Sequence, residues 1–532
     1  MPESIPFGNW HFLAERDMET DLAVQHIHRV EVKSLLPETT CSPSTKGEEN
    51  KASTLKVVHK HGPCSELNQI QKENPPNHTQ ILDRDQAGVK SIHSRLGSKK
   101  MNSDGATTMP VHSGDIVSSG DYIVTVGLGT PQKQLSLIFD TGSDLSWTQC
   151  RPCIGSCYKQ MEPLFDPSIS TSYVNISCKS NVCSQLTPVT HKIPRCSTDN
   201  STCIYDMQYG DKSFSVGFFG KERLTLTSTE VFDEFIFGCG QINQGNFGSS
   251  AGFLGLGRHN ISFVQQTANK YGRIFFYCLP STSSSTGYLG FGKHRRAFKH
   301  VKFTPLTTVS QDPSFYGLNL VGISVGGHKL WISPSVFLSS GTIIDTGTVI
   351  TRLPAAAYSA SRDVFRQAMT KYPLTQALSV LDTCYDLSSY VTVKYPHIAF
   401  YFQGGLKLEL DATGIFYSSS ASQVCLAFAG NDANNKFAVL GNVQQKTFEV
   451  VYDFAGGRVG FARGEGGGGG GSQSSDQELA LLRAIDAMAL STLSMEKDLG
   501  PVWFMGKEAY EWKFNCFPMF GKSRHGKWLP ST

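Results

Sequence analysis

The sequence has few of the features that would place it on nucleic acid or in a membrane. Charged residues make up only 17% of its 532 residues, and the formal net charge is +3. Residues 1–110 carry 13 Lys and Arg against 14 Asp and Glu, so they form no basic arm for a phosphate backbone. No apolar stretch reaches transmembrane length, and residues 1–30 show no apolar core of a signal peptide. We therefore expect neither nucleic acid nor a membrane as a partner.

Several common catalytic and metal-binding motifs are also missing. The sequence holds no His-Glu-x-x-His and no Ser or Cys triad motif. Two groups partly meet zinc-ligand spacing: Cys150, Cys153 and Cys157, and His59, His61 and Cys64. No second close pair of ligands is spaced to complete a tetrahedral site around them. We therefore predict no metal and no cofactor, and we interpret the cysteines as disulfides.

Cysteine is, by contrast, abundant. Seven of the 14 cysteines lie between Cys150 and Cys203, a density typical of disulfides made in an oxidising compartment. Four N-x-S/T sequons are compatible with passage through a glycosylating compartment, at Asn77, Asn175, Asn200 and Asn260. We expect an extracellular glycoprotein, although no signal peptide is visible in this chain.

From residue 121 the sequence has the pattern of an all-β protein. Short β-branched runs and Gly-rich turns alternate to about residue 463. One helix is predicted at residues 355–370, and the polar amino-terminal part contains only one plausible helix, at residues 80–96. The length exceeds what a single core usually holds, which predicts more than one domain.

The β region contains an internal repeat. An apolar strand ending in Asp-Thr-Gly and a hydroxyl residue occurs at residues 137–143 and again at residues 342–348. An apolar-Leu-Gly segment follows each copy, at residues 252–257 and 439–442. This order predicts two lobes of similar design, and a site built from both turns would lie at the interface between the lobes.

Asp140 and Asp345 are the candidate catalytic residues. A single Asp-Thr-Gly is more simply explained as a turn, but two matched copies can bring two carboxyl groups together. Such a pair holds one proton over a wide pH range, because both groups cannot ionise at low cost. The ionised member can then activate a water molecule while the protonated member donates to a substrate carbonyl.

The three residues after each carboxylate are predicted to support it. They are Thr141, Gly142 and Ser143 in the first turn, and Thr346, Gly347 and Thr348 in the second. The threonine hydroxyls can bond across to the opposite turn, and the glycines bring N–H groups close to the carboxylates. The last hydroxyl of each turn is expected to bond an outer carboxylate oxygen and fix its orientation.

Residues 122–461 resemble the pepsin-like aspartic proteases, and within them the plant nepenthesin-like group. The most telling stretch is residues 139–150, Phe-Asp-Thr-Gly-Ser-Asp-Leu-Ser-Trp-Thr-Gln-Cys. A run of cysteines that looks like the cysteine-rich insertion of that group follows, at Cys150, Cys153, Cys157, Cys178 and Cys183. The resemblance implies a bilobal, all-β fold with a cleft for an extended peptide, and an aspartic endopeptidase that works at acid pH.

The resemblance also implies roles outside the two turns. Residues 205–217 are similar to the flap hairpin of the family, so that Tyr209, Gly210 and Asp211 would form the substrate-binding flap and Trp147 would support Tyr209. Gly255 and Gly441 match the glycines that lie behind the two active-site loops. The protein is expected to be a monomer that acts on proteins or peptides in the apoplast, with the vacuole or plastid as alternative locations.

The domain boundaries follow from the same resemblance. Residues 1–106 would be a propeptide, residues 107–297 the first lobe with the cysteine-rich insertion, and residues 298–464 the second lobe. Residues 465–532 are a Gly-rich linker and a tail that we cannot assign.

Two features depart from the family pattern or leave an alternative open. Residues 122–463 hold eleven cysteines, an odd number, so that one lacks a partner there unless Cys516 supplies it. The alternative function is a catalytically silent, protease-like binding or inhibitor protein, because the fold alone does not fix the function. Both Asp-Thr-Gly turns are intact, which favours the enzyme.

Overall fold

The computed structural model describes residues 27–43, 53–67, 77–97, 115–116, 121–245, 247–293, 300–339, 341–432 and 437–463. Within these residues the protein is mostly β, and the strands form two lobes around a shared sheet. The all-β, bilobal prediction is therefore confirmed. The linker and tail predicted at residues 465–532, and the partner proposed for the unpaired cysteine, lie outside the described residues.

Between residues 121 and 293, the described part of the first lobe has eleven strands and five short helices. Its strands are Tyr122–Leu128, Lys133–Asp140, Trp147–Gln149, Val174–Asn175, Arg195–Cys196, Cys203–Tyr209, Phe214–Thr227, Glu230–Gln244, Gly252–Gly255, Ile274–Cys278 and Thr286–Phe291. Its helices are Pro167–Ile169, Asn181–Ser184, Thr187–Thr190, Phe263–Gln266 and Ala268–Tyr271. The hairpin of Phe214–Thr227 with Glu230–Gln244 is the longest strand pairing described in this lobe.

The second lobe has eighteen described strands and four described helices. Its strands are Lys302–Pro305, Thr307–Thr308, Tyr316–Leu318, Leu320–Val325, His328–Lys329, Thr342–Ile344, Thr351–Leu353, Leu374–Thr375, Cys384–Tyr385, Thr392–Pro396, Ile398–Phe402, Lys407–Glu409, Phe416–Ser420, Gln423–Leu426, Phe428–Gly430, Ala438–Leu440, Phe448–Asp453 and Arg458–Arg463. Its helices are Ser335–Leu338, Ala355–Ala368, Ala412–Ile415 and Asn442–Gln445. The helix predicted at residues 355–370 is thus present.

Each lobe repeats one arrangement of three strands. In the first lobe, Gly252–Gly255 runs parallel to Lys133–Asp140 and antiparallel to Trp147–Gln149. In the second lobe, Ala438–Leu440 runs parallel to Thr342–Ile344 and antiparallel to Thr351–Leu353. The internal sequence repeat therefore corresponds to a structural repeat, and each copy delivers one Asp-Thr-Gly turn.

The strand Lys133–Asp140 shows why these segments are continuous apolar runs. Leu137 and Phe139 enter the largest apolar cluster, while Ile138 on the opposite face enters a second cluster. A strand covered on both faces has no solvent side, so it does not alternate between polar and apolar residues. It ends at Asp140, which is thereby held at a fixed point of the lobe.

Parts of residues 1–106 are integrated into both lobes, which the sequence did not predict beyond one helix. Ile27–Glu31 pairs antiparallel with Thr392–Pro396 of the second lobe. Thr54–His59 is an interior strand between Thr286–Phe291 and Tyr122–Leu128. Two helices, Val32–Leu35 and His78–Gly97, complete the described part of this region. The short strand Asp115–Ile116 follows it and pairs parallel with Cys203–Tyr209 of the first lobe.

Disulfides link segments within each part of the chain. The pairs are Cys41–Cys64, Cys150–Cys239, Cys153–Cys157, Cys178–Cys196, Cys183–Cys203 and Cys384–Cys425. Cys278 is disulfide-bonded as well. The cysteines that partly matched zinc-ligand spacing are therefore not thiolates, the form in which a cysteine binds a metal.

Within the described residues, no helix combines the length and the apolar character that crossing a bilayer requires.

Candidate active site

The two Asp-Thr-Gly turns meet between the lobes and are joined by reciprocal hydrogen bonds. The Thr141 N–H donates to Thr346 Oγ1 over 3.0 Å, and the Thr346 N–H donates to Thr141 Oγ1, also over 3.0 Å. The two hydroxyl oxygens are 3.3 Å apart. All of these groups are buried. The contact fixes the position of one turn against the other, as the paired threonines suggested.

The two carboxylates approach each other closely because a glycine follows each threonine. A Cβ placed on Gly142 would lie 2.7 Å from Asp345 Oδ1, and a Cβ on Gly347 would lie 2.6 Å from Asp140 Oδ1. Any larger residue would therefore push the carboxylate of the opposite lobe away. The same glycines donate their N–H groups to the carboxylate of their own turn, over 2.8 Å to Asp140 Oδ1 and 2.9 Å to Asp345 Oδ1.

The outer oxygens of the two carboxylates are held differently. Thr348 Oγ1 donates to Asp345 Oδ2 over 2.7 Å, as the sequence predicted. Ser143, at the equivalent position, lies beside Asp140 and is buried, but Ser143 Oγ and Asp140 Oδ2 have no hydrogen-bond partner among the described residues. Asp345 is thus fixed through both of its oxygens, whereas Asp140 is fixed through one.

The environment of the pair favours the protonated form of its carboxyl groups. Burial and the charge of Asp345 raise the pKa of Asp140 well above its usual range. Burial also raises the pKa of Asp345. Because the two groups titrate together, the proton belongs to the pair. A pair that retains one proton in mild acid offers an acid and a base at the same place, which suits addition of water to a carbonyl group.

No cluster of three or more His, Cys, Asp or Glu side chains in the described part of the chain is arranged to hold a metal ion.

Comparison with known proteins assigns the family. Models described as "Xylanase inhibitor N-terminal" and "Xylanase inhibitor C-terminal" match residues 122–293 and 315–463. An aspartyl protease family protein of Arabidopsis thaliana is 54% identical over 442 residues, which cover 82% of this chain and 92% of that protein. The chain belongs to the pepsin-like aspartic proteases of plants. It is an aspartic endopeptidase.

A second relative agrees with this assignment, and a solved structure shares the fold. Nepenthesin-2 of Nepenthes gracilis is 35% identical over 389 residues, covering 71% of this chain and 84% of that enzyme. The crystal structure of basic 7S globulin from soybean superposes with a TM-score of 0.53, covering 65% of this chain and 95% of that chain. At 23% identity, the latter match shows the shared fold alone.

The hairpin of residues 205–217, which resembles the flap of the family and is called the flap below, lies on an aromatic cluster. Trp147 Nε1 donates to the Tyr209 hydroxyl over 2.6 Å, and the rings of both residues stack on Phe253, with centroid distances of 5.7 Å and 5.2 Å. Phe247 meets both rings edge-on. The structure therefore brings Trp147 and Tyr209 together, as the family resemblance implied. Sequence reasoning assigned no role to either phenylalanine: Phe247 lies in no motif, and Phe253 lies in the repeated segment at residues 252–257 without marking a contact.

The tip of the flap touches the amino-terminal helix His78–Gly97. Gly210 and Asp211 form the turn between Cys203–Tyr209 and Phe214–Thr227, where Asp211 Oδ1 accepts a hydrogen bond from the Ser213 N–H over 2.9 Å. A Cβ on Gly210 would lie 2.7 Å from Ser91 Cβ of the helix. The helix therefore lies directly against the flap.

The opposite side of the same helix packs on the second lobe. Two pairs of its apolar residues enter clusters of that lobe: Ile81 and Leu82 beside Val349 and Ile350, and Ile92 and Leu96 beside Ile343 and Val439. Asp85, which is 1% exposed, accepts hydrogen bonds from the N–H groups of Val349 and Ile350. The helix thus occupies the space between the flap and the loop that follows Asp345.

Asp144 is a further buried carboxyl group, and sequence reasoning did not single it out. It follows the first turn directly and accepts a hydrogen bond from the His259 N–H over 2.7 Å. Burial raises its pKa to about 6. The sequence shows an acidic residue beside the motif, but only the folded lobe shows that it is enclosed.

Proposed function

We propose that this protease cleaves internal peptide bonds at acid pH, with a water molecule activated between Asp140 and Asp345. The observation that carries the proposal is the close, buried approach of the two carboxylates, held by the reciprocal threonine bonds. The raised pKa of Asp140 supports an acid optimum, because one carboxyl group must stay protonated while the other is ionised.

The reaction would proceed by general acid–base catalysis without a covalent intermediate. The ionised member of the pair takes a proton from water as the water oxygen bonds to the carbonyl carbon. The protonated member gives its proton to the carbonyl oxygen, forming a neutral tetrahedral centre. A proton then passes to the leaving nitrogen as the C–N bond breaks. We assign neither role to one aspartate, since the titration belongs to the pair.

The described conformation would be latent, with residues 1–106 acting as a propeptide. The helix His78–Gly97 contacts the flap at Gly210 and the second lobe at Val349 and Ile350. A peptide substrate would need the same space. We therefore expect activity only after the helix has left this position.

The substrates would be proteins or peptides in an extended conformation, bound by a monomeric enzyme outside the cell. The disulfides support an oxidising compartment, of which the apoplast is the first candidate, ahead of the vacuole and the plastid. We propose no nucleic-acid or membrane partner.

The decisive experiment compares the acid-treated protein with its Asp345→Asn variant on a denatured protein substrate at about pH 4. The proposal expects cleavage by the first and none by the second, with both proteins folded by circular dichroism. Cleavage that persists in the variant would remove Asp345 from the mechanism.

One observation favours a second candidate, a catalytically silent binding protein. The two matching family models are named after a xylanase inhibitor, which indicates that proteins with this fold can also act by binding another protein. If the folded, acid-treated protein cleaves nothing under any pH between about 3 and 7, this candidate takes first place. A pull-down with a xylanase would then be the next measurement.

A further inference from the structure

A carboxylate of the amino-terminal helix is enclosed by donors of the second lobe. Asp85 accepts hydrogen bonds from the Val349 N–H over 2.7 Å and the Ile350 N–H over 3.2 Å. Arg352 Nη2 lies 3.0 Å from Asp85 Oδ2. The side chains of Asp85 and Arg352 are each 1% exposed. This is a built carboxylate site, with two backbone donors and a buried guanidinium.

The donors and the acceptor belong to different parts of the chain. Val349, Ile350 and Arg352 follow the second catalytic turn, whereas Asp85 lies on the helix that we propose to be displaced. The neighbouring helix residue Gln86 accepts from Arg352 Nε and Nη2 over 3.2 Å and 3.1 Å. Within the second lobe, Arg352 Nη1 donates to the Ile350 carbonyl over 2.7 Å, which orients the guanidinium without the helix.

Departure of the helix would remove the acceptors and leave the donors in place. An unpaired donor in a sheltered site is costly, and a planar guanidinium is suited to a carboxylate. The Val349 N–H is four residues from Asp345, and the helix that reaches it also touches the flap. A substrate that lies between the flap and the second lobe would therefore pass this site.

We propose that in the active enzyme Val349, Ile350 and Arg352 bind a carboxylate of the substrate. The protease then prefers Asp or Glu at one fixed position of the peptide, and Asp85 holds this subsite in the latent form. This inference rests on the proposed function, because it requires cleavage after the helix has been displaced. It adds a specificity-determining residue, Arg352, that does not take part in the chemical step.

The first test uses the wild-type enzyme, activated by acid from the full chain. Matched peptides that differ only by Glu or Gln are scanned through each position around one scissile bond, at about pH 5, where a free Glu is largely ionised. We expect kcat/KM to be about tenfold higher for Glu at one position, as for a hydrogen-bonded partner that gains a charge. Equal values at every position would overturn the inference.

The two proposals fail in different ways in this assay. If no peptide is cleaved, the proposed function fails and the subsite fails with it. If all peptides are cleaved without a preference for Glu over Gln, the proposed function stands and only the subsite is refuted.

A substitution of Arg352 tests whether this residue causes the preference for Glu. Arg352→Met is expected to abolish the preference for Glu, so that the ratio of kcat/KM for the Glu peptide to kcat/KM for the Gln peptide falls from about ten to about one. Arg362→Met is the control. Arg362 lies in the same lobe, where it donates hydrogen bonds to Asp363 and Asp382 and lies over the Tyr358 ring, and none of these contacts involves the amino-terminal helix. A preference that survives Arg352→Met, or disappears in Arg362→Met, would refute the assignment.

A second pair of variants covers the case in which Arg352→Met does not fold. In the uncleaved full chain, Asp85→Asn replaces the carboxylate by a neutral amide, whereas Asp83→Asn changes an exposed carboxylate that accepts a hydrogen bond from Ser379. A fluorescent statine-type inhibitor is expected to label the Asp85→Asn chain about tenfold more than the Asp83→Asn chain. Equal labelling would show that the carboxylate does not hold the site.

Discussion

Replacing Thr346 by valine is the most direct test of the contact between the lobes. Valine has nearly the shape of threonine, so the substitution removes the hydroxyl group without opening a cavity. The hydroxyl accepts the Thr141 N–H over 3.0 Å and lies 3.3 Å from Thr141 Oγ1. Both turns are fully buried, so water cannot readily replace the lost acceptor.

The expected loss of stability follows from the Thr141 N–H, which Thr346→Val leaves without an acceptor. A buried N–H that loses its acceptor destabilises a protein by about 1–3 kcal/mol. We expect this decrease in the free energy of unfolding for Thr346→Val, and for Thr141→Val by the reciprocal bond. In the double variant the bond between the two hydroxyls is lost only once. The double loss should therefore be smaller than the sum of the single losses by about 1 kcal/mol, the contribution of one hydrogen bond.

Two measurements test this expectation. Denaturant unfolding of the full chain gives the stabilities, and cleavage of a peptide by the acid-activated enzyme gives kcat/KM. A small displacement of one turn can lower the rate by up to about 100-fold, so Thr346→Val should lose activity while Thr346→Ser retains it. Thr267→Val is the control, because Thr267 is equally buried but bonds the Phe263 carbonyl within the first lobe.

Wild-type stability and kcat/KM in Thr346→Val would show that the contact between the turns does not hold the site. An equal loss of kcat/KM in Thr267→Val would show the same, because the effect would then reflect general destabilisation.

Three further predictions address the carboxyl groups and the flap. Asp140→Asn should abolish turnover and keep the fold, as tested by peptide cleavage and circular dichroism, whereas a chelator should leave wild-type activity unchanged. Tyr209→Phe removes the acceptor of the Trp147 Nε1–H and should raise KM more than the matched change Tyr205→Phe, measured by steady-state kinetics. Asp144 has its pKa raised to about 6 by burial, so the folded state binds the extra proton and its stability falls as pH rises through about 4 to 6. Asp144→Asn should reduce this fall, by up to about 3 kcal/mol, in denaturant unfolding at pH 4 and pH 7, and an unchanged pH dependence would contradict the raised pKa.

The sequence was sufficient to predict the fold class and the residues that meet at the site, because each depends on a local pattern that occurs twice. An apolar run covered on both faces has a recognisable composition, and the turn that ends it must hold glycine for the opposite carboxylate to approach. Matched copies therefore located Asp140 and Asp345 without knowledge of the lobes.

Contacts between distant segments could not be predicted in the same way. The strand Thr54–His59 is short, and its place between Thr286–Phe291 and Tyr122–Leu128 depends on partners far along the chain. Likewise, Asp85 and Arg352 are ordinary charged residues in the sequence, and a lone charge is usually found at the surface. Only the packing of the helix on the second lobe shows that both are buried and paired.

The ion pair of Asp85 with Arg352 would connect the proposed latent form to the proposed preference for acidic substrates. When the helix leaves, Arg352 loses its carboxylate partner Asp85. A buried charge without its partner is strongly unfavourable, so Arg352 alone does not stabilise the enzyme at this position. A substrate carboxylate would restore the lost bonds, and the same arginine would then favour latency before activation and acidic peptides afterwards. Under these two proposals, the Asp85 carboxylate of the amino-terminal helix occupies the position that a carboxylate of the substrate takes after activation.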